Sequence, residues 1–381
     1  MNQSTTILYP AEFIFPGHPD KLCDAIADAL VEAALRCDSR ALAGIEVAVH
    51  RDSVFVTGRL AGAGVEAIDI AAQVREVYRS AGYDADWYPA PSQLDVVCKL
   101  CLGPLEEGEA EFRDLADDQA ICSGYANSLV ATNYLPPEQW LVQRLAQSLY
   151  NLRQEQPALQ LGPDGKVLIL LEEAGQGLDC RWRLAAFSCS LQQKNSADAL
   201  ALHRAVRLTL EQAMLEAAMR LQGLSAALPV QLTVNGAGDF EVGGPEGDNG
   251  LSGKKLVVDA YGPRVPIGGG AWSGKDFFKA DRAGGLHARR VARTLVQLGL
   301  VREAFVTLGW FPGDRAARII SIFDEARRPV PVQHLETLFD LSLAKSGETF
   351  VPNCLPNCLP ELARWGHFSD PTLPWERIVP L

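Results

Sequence analysis

The chain has 381 residues, 48% of them hydrophobic and 22% charged, with a formal net charge of −12. That length suits two or three domains with a sizeable core. The acidic balance argues against nucleic-acid or anionic-membrane binding, and no apolar run approaches the ~18 residues of a membrane span.

The amino terminus, Met-Asn-Gln-Ser-Thr-Thr, has no basic region leading into an apolar core. No secretory leader is expected from it, and a cytoplasmic location is. Leu22–Arg36 has helical spacing, with Leu22, Ile26, Leu30, Ala33 and Ala34 on one side. Ile45–Val49 and Ser53–Leu60 are predicted strands joined by a turn at His50–Asp52. A helix over Ala67–Ala81 and an apolar strand over Leu94–Leu102 follow. Gly103–Ala120 is acidic and without period. It is long for a connection, so it is expected to be either a mobile lid or a solvated loop.

A second block begins near Asn127. Its expected elements are a helix at Gln139–Leu152, strands at Lys166–Glu172 and Cys180–Gln192, and a long helix at Ser196–Gln222. The third block opens with a strand at Val230–Asn235. Lys255–Ala260 is predicted to be a strand and Ala283–Leu298 a helix. Strands at Arg302–Leu308 and Ala317–Phe323 and a helix at Gln333–Leu343 complete it. Strand pairs plus helices recur three times with little strict βαβ alternation, which predicts an α+β fold.

Nine cysteines, an odd count, suggest reduced thiols. Cys98, Cys101, Cys122 and Cys189 lie in apolar contexts and are expected to be buried. Cys354 and Cys358, in a tandem Pro-Asn-Cys-Leu repeat, indicate a turn-rich loop rather than a zinc site.

Chemistry concentrates in Gly268-Gly-Gly-Ala-Trp-Ser-Gly-Lys-Asp-Phe-Phe-Lys-Ala-Asp-Arg282. Glycines admit close approach of a ligand to the backbone. Lysines are point charges for phosphate, and an aspartate can hold Mg²⁺ against it. Between Leu251 and Leu300 there are nine Lys or Arg and three acids, a basic island suited to a small anion. Three further segments join it. In Gly17-His-Pro-Asp-Lys21, His18 and Asp20 sit just before a helix start, where phosphates are favoured. Gly243-Gly-Pro-Glu-Gly-Asp-Asn-Gly-Leu-Ser-Gly-Lys-Lys255 is too glycine-rich for a plain turn. Gly162-Pro-Asp-Gly-Lys166 by itself predicts a hairpin turn. None has P-loop spacing, no GxGxxG follows a first strand, and HExxH is absent.

Taken together, these motifs resemble S-adenosylmethionine synthetases, collinearly over nearly the whole chain. The match includes Gly17–Lys21 with Asp24 and Asp28, Glu46, and Asp118-Gln119 before Gly124-Tyr125-Ala126. It continues through Pro163–Lys166, Gly243–Asp248 with Gly253–Lys255, Gly268–Asp276 and Lys279–Arg282. It ends with Gly366-His-Phe368 and Pro374-Trp-Glu376. The resemblance implies three similar α+β domains with pseudo-three-fold symmetry, here 8–105, 115–232 and 233–381. It implies a homodimer or tetramer with sites between subunits, two Mg²⁺, one K⁺, and attack of methionine sulfur on C5′ of ATP. By resemblance, His18, Lys166, Lys255 and Lys275 act on the triphosphate. Asp20 and Asp281 hold Mg²⁺, and Glu46 holds K⁺. Asp164, Asp239, Phe240, Asp248, Lys254, Ala271 and Lys279 contact ATP, with Lys279 also within reach of the methionine end.

The departures cluster at the amino-acid end. Arg59, in Thr57-Gly-Arg-Leu60, stands where the family has a Glu for the methionine ammonium. Asp117-Asp-Gln-Ala120, Ser190-Leu-Gln-Gln193, Asp239, Lys254 and Trp310-Phe-Pro-Gly313 also differ from the family pattern. Three readings follow. In the first, methionine is still used, with Asp118 and Asp248 on its ammonium. In the second, adenosyl passes to another small nucleophile that Arg59 attracts. In the third, the chain is a non-catalytic ATP-binding partner subunit.

Overall fold

A computed structural model describes residues 6–175, 179–331, 338–354 and 359–377. In chain order, β1 (Thr6–Ile14) leads into α1 (Pro19–Cys37), the hairpin β2 (Leu42–His50) and β3 (Ser53–Ala61), α2 (Ile70–Ala81) and β4 (Asp95–Gly103). β5 (Ala120–Asn127) leads into α3 (Pro137–Glu155), the hairpin β6 (Leu161–Ala174) and β7 (Arg181–Gln193), α4 (Ala199–Arg220) and β8 (Gln231–Val234). The third run holds a single turn α5 (Gly244–Gly247), β9 (Gly250–Leu251) and another turn α6 (Leu256–Asp259). It continues with α7 (Ala280–Gln297) and the hairpin β10 (Glu303–Trp310) and β11 (Arg318–Phe323). α8 (Leu343–Cys354) and α9 (Leu359–Trp365) close it.

Local chemistry explains the boundaries. His18 caps α1 with Pro19 in its first turn. Asp69 caps α2, and Gly82, at φ 98°, ends it in the left-handed conformation. Asp198 caps α4 by accepting from the Leu200 and Ala201 N–H groups.

The strands form three sheets, in the orders β9-β2-β3-β4, β1-β6-β7-β8 and β5-β10-β11. In the first two, an antiparallel hairpin is flanked by one antiparallel and one parallel strand. The parallel strand returns through a helix, α2 or α4, as a parallel crossover requires. The leading strand of each run is exchanged. β1 completes the second run's sheet, β5 the third's, and β9 the first's. The fold is α+β, and its three segments are interlocked rather than strung in line.

α1 lies inside the molecule, with Leu22, Ile26, Leu30 and Leu35 buried along with Asp20, Lys21, Asp24 and Asp28. Buried charge needs partners, and those partners build the site. α7 is similarly enclosed. Gly124 of β5 rests on it so closely that a Cβ there would lie 2.1 Å from the Ala288 backbone.

Several expectations are corrected. Lys255–Ala260 is no strand: Leu256–Asp259 forms one helical turn, its apolar residues Leu256 and Val258 buried against the core. Gly162–Lys166 is no hairpin turn but runs inside β6. Cys98 and Cys101 are exposed, while Cys122 and Cys189 are buried, all as free thiols. β1 and β5 were not expected. Of the helix predicted at Gln333–Leu343, residues 333–337 lie outside the described residues, and α8 starts only at Leu343. Residues 355–358 of the Cys354–Cys358 turn also lie outside them. Among the described residues no helix is long and apolar enough to cross a membrane.

Candidate functional site

At the start of α1 the His18 ring is fixed by the backbone beside it. Nδ1 accepts from the Asp20 N–H at 3.1 Å, which leaves the proton on Nε2. The ring is 3% exposed. Burial first, then the nearby Lys166 charge, pulls its pKa to about 3, with Asp20 opposing. The imidazole is therefore neutral near pH 7 and presents one N–H donor. The Tyr83 hydroxyl donates to the Gly17 carbonyl at 2.7 Å and holds the turn before it.

Asp20, Asp24 and Asp28 recur every four residues, so they share one face of α1. Each accepts a backbone N–H from a glycine-rich loop: Leu251 at 3.0 Å, Gly253 at 2.7 Å and Gly274 at 2.9 Å. Arg282 grips Asp28 with Nη2, at 2.6 and 2.7 Å to its two oxygens. Asp276, fully buried, accepts from the Ala43 and Phe278 N–H groups, both at 2.7 Å, and from Arg113 at 2.8 Å. Both lysine-bearing loops are thus fastened to one buried helix. Ala271 packs against Gly253, where a Cβ would lie 2.6 Å from the Ala271 methyl.

The lysines reach over this scaffold. Lys254 and Lys255 lie 3.2 and 3.0 Å from the Asp20 carboxylate. Burial pushes the Asp20 pKa up, but the Leu251 N–H and Lys255 outweigh it and hold the carboxyl below its ordinary value. Lys275 pairs with Asp281, and Lys279 with Asp117. Glu46, exposed on β2, accepts from the Ser252 hydroxyl at 2.7 Å. Among the described residues no three His, Cys, Asp or Glu side chains gather as a metal-binding group. Mg²⁺ takes one or two carboxylates and keeps water and substrate phosphate as its other ligands. Asp20 and Asp281 fit that role, since each already draws an ammonium onto its oxygens.

Asp164 is buried in β6. Its Oδ2 accepts from the Gly244 N–H at 2.8 Å, and its Oδ1 has no hydrogen-bond partner. Burial raises its pKa to about 6. An orphaned buried carboxylate oxygen marks a place where a donor is missing. Lys166, two residues on, is exposed, Phe240 is half-buried, and Asp239 is exposed. Asp118 and Asp248 are both exposed, and each accepts from the following residue's N–H in its own loop. A cleft of about 900 Å³ between the C-terminal ends of α2 and α3 is lined by Tyr83 but by none of the lysines or carboxylates above, so volume does not locate the chemistry.

The Gly103–Ala120 segment is largely exposed and is tied down at a few points. Arg59 holds Glu109 with two bonds, at 2.9 and 2.8 Å, and donates to the Pro104 and Cys101 carbonyls at 2.8 and 3.3 Å. The guanidinium keeps the Glu109 pKa at about 2. Arg113 is fully buried against Asp276, with its guanidinium 5.0 Å over the Phe278 ring. Ala116 exchanges two backbone bonds with the 313–314 turn, both 2.8 Å. The segment is a strap across the loop that carries Lys275 and Lys279. Arg113, Arg282 and Tyr83 went unremarked as site residues in the sequence. An arginine inside an acidic, aperiodic stretch was the one available signal for Arg113.

Two family models match the chain: the S-adenosylmethionine synthetase N-terminal domain over residues 6–100 and its C-terminal domain over 242–377. It is 31% identical to an S-adenosylmethionine synthase of Thermosynechococcus vestitus, over 97% of this chain and 95% of that protein. To S-adenosylmethionine synthase 1 of Frankia casuarinae it is 32% identical, over 97% and 96%. To a Staphylococcus epidermidis S-adenosylmethionine synthase it is 29% identical, over 97% and 95%.

Proposed function

The chain belongs to the S-adenosylmethionine synthetase family, and on that premise we propose that it transfers the adenosyl group of ATP to the sulfur of methionine. The sulfur lone pair forms the bond to C5′ while the C5′–oxygen bond breaks. The electron pair leaves with triphosphate, which water then divides into pyrophosphate and phosphate. The observation that carries this reading is the fastening of both lysine loops to α1 beside a neutral, N–H-donating His18.

Displacement at carbon needs little proton transfer. It needs alignment and stabilisation of the charge that develops on the leaving oxygens. His18 Nε2–H, Lys166, Lys255 and Lys275 are the donors for that charge, with Lys254 and Lys279 farther along the chain of phosphates. Asp20 and Asp281 would hold the two Mg²⁺, which supply further positive charge to the triphosphate, and Glu46 would hold K⁺. Asp164, through its unpartnered Oδ1, and Phe240 are assigned to adenosine, with Asp239 and Ala271 at the margin of the ATP site. Asp118 and Asp248 are assigned to the methionine ammonium.

The alternative acceptor, one bearing a carboxylate, draws on the cationic Arg59. Glu109 neutralises that cation and spends its donors on the strap, which favours methionine. A homodimer is part of this reading, because the outer sheet faces leave Leu8, Phe55, Val97, Ile121 and Leu168 in solvent.

The test is product identification by mass spectrometry after incubation with ATP, Mg²⁺ and K⁺. Methionine, its desamino analogue and its methyl ester are offered separately. S-adenosylmethionine from methionine alone is expected. A product only from the desamino acid would move the assignment to a different nucleophile, and no turnover with any would leave an ATP-binding subunit.

A further inference from the structure

A cavity of about 420 Å³ lies among the turn after β5, α3 and the last turn of α4. Arg293, the α7 residue on its wall, is about 18 Å along that helix from Asp281. The cavity is therefore apart from the lysine loops. No described residue that lines it is acidic, although the whole chain carries a net charge of −12. Arg144 of α3, Arg220 of α4 and Arg293 all line it.

Two of these arginines are oriented by rings. The Arg144 guanidinium lies 5.3 Å over Trp140, and that of Arg293 lies 4.6 Å over Tyr134. A ring against the flat face leaves the in-plane N–H donors for a ligand. Arg144 and Arg220 have no hydrogen bond or ion pair among the described residues. Burial, and then Arg220, hold the Arg144 pKa below its ordinary value, with Glu216 opposing. Glu216 itself accepts from Gln212 at 2.8 Å. Arg293 donates to Asn133 at 3.0 Å and to Glu376. Glu376 also holds the fully buried Arg289, at 2.8 and 2.9 Å, so one carboxylate serves two guanidiniums. Asp370, beside Ser369 on the wall, accepts from Thr372 instead. One basic residue in the last turn of a helix, as Arg220 is, answers the helix dipole and needs no further account. Three guanidiniums around one cavity repel each other, and a bound anion relieves that repulsion. A carboxylate fills one guanidinium fork, whereas a phosphoryl group has an oxygen for each of three.

We propose that this cavity binds a small phosphoryl anion, free phosphate or a phosphate monoester, through Arg144, Arg220 and Arg293. The proposal does not rest on the adenosyl-transfer reading. Titration calorimetry of the full chain at matched ionic strength tests it, with inorganic phosphate, glycerol 3-phosphate and malonate as probes. Lys255→Ala/Lys275→Ala removes the lysine-loop site, and Arg144→Gln/Arg220→Gln is added to it. One phosphoryl site per chain is expected to remain in the lysine variant and to weaken about ten-fold or more when the arginines are replaced. Tighter binding of the ester assigns an organic phosphate as the ligand, and the reverse assigns the free anion. In the wild type, phosphate should also slow modification of Arg144 by phenylglyoxal, read by peptide mass. No binding in a folded lysine variant, equal affinity with and without the arginines, malonate binding as tightly as phosphate, or an unchanged modification rate at Arg144 would overturn the proposal.

Discussion

At His18 one ring nitrogen is occupied by the Asp20 N–H before any ligand arrives. Burial keeps the other protonated but uncharged. The residue therefore offers a directed donor and no net charge, with charge left to the lysines around it. Asp164 behaves in the opposite sense. Burial lifts its pKa to about 6, so it is ionised above that pH and takes up a proton below it. Protonation weakens what the carboxylate accepts from Gly244 and from adenosine. We expect kcat/KM for ATP to fall as pH drops through about 6, and Asp164→Asn to lower the plateau and abolish that limb, since an amide does not titrate there. A limb that persists in the variant would assign it to another group. His18, Asp20 and the lysines were legible at this scale, because each lies in a glycine-punctuated motif with a phosphate rationale. Asp164 was legible as a residue type only: the Pro-Asp-Gly signal predicts a turn, whereas the orphaned oxygen depends on a strand packed under the Gly243–Gly244 loop.

Among the elements, α1 and the 104–119 strap decide the site. α1 was predicted from its periodicity, and its aspartates at 20, 24 and 28 were visible in the sequence. Their work as anchors for glycine-loop N–H groups was not, because the partners lie more than two hundred residues away. The strap's fixation was not legible because it rests on isolated long-range ion pairs, which leave no period. Arg113→Ala leaves Asp276 with two backbone N–H groups and no counter-charge. We expect a loss of about 3 kcal/mol in urea unfolding, as for other broken buried pairs. Tryptic or subtilisin cleavage within 104–119 should also quicken. A loss below about 1 kcal/mol with unchanged cleavage would contradict the clamp. β5 was missed because Ser123 and Gly124 weaken its strand pattern, and it forms because β10 offers it an unpaired edge. Leu256–Asp259 was misread because Val257 and Val258 favour strands, whereas the Asp259 and Ala260 N–H groups bond back to the Lys255 and Leu256 carbonyls and close one helical turn.

Over the whole molecule, the exchange of β1, β5 and β9 makes each run depend on another for a sheet edge. The three-fold recurrence was legible as a count of strand pairs and helices, and with it the α+β class. The exchange was not, since strand partners are set by tertiary packing. Interlocking predicts that the segments do not melt separately. Scanning calorimetry should give one endotherm, and deleting residues 1–14 should destabilise the entire transition rather than shed one part. Three resolved endotherms would contradict the interlock.

The central claim, that these loops hold ATP for displacement at C5′ by methionine, is tested most directly by a single turnover with enzyme in excess over ATP. S-adenosylmethionine and the inorganic phosphates are followed in the wild type and in Lys275→Ala. We predict one S-adenosylmethionine per ATP, formed only with methionine and no later than the phosphates, and slowed about 10²-fold or more in Lys275→Ala. Phosphate release without any sulfonium product, or an undiminished rate in Lys275→Ala, would contradict it.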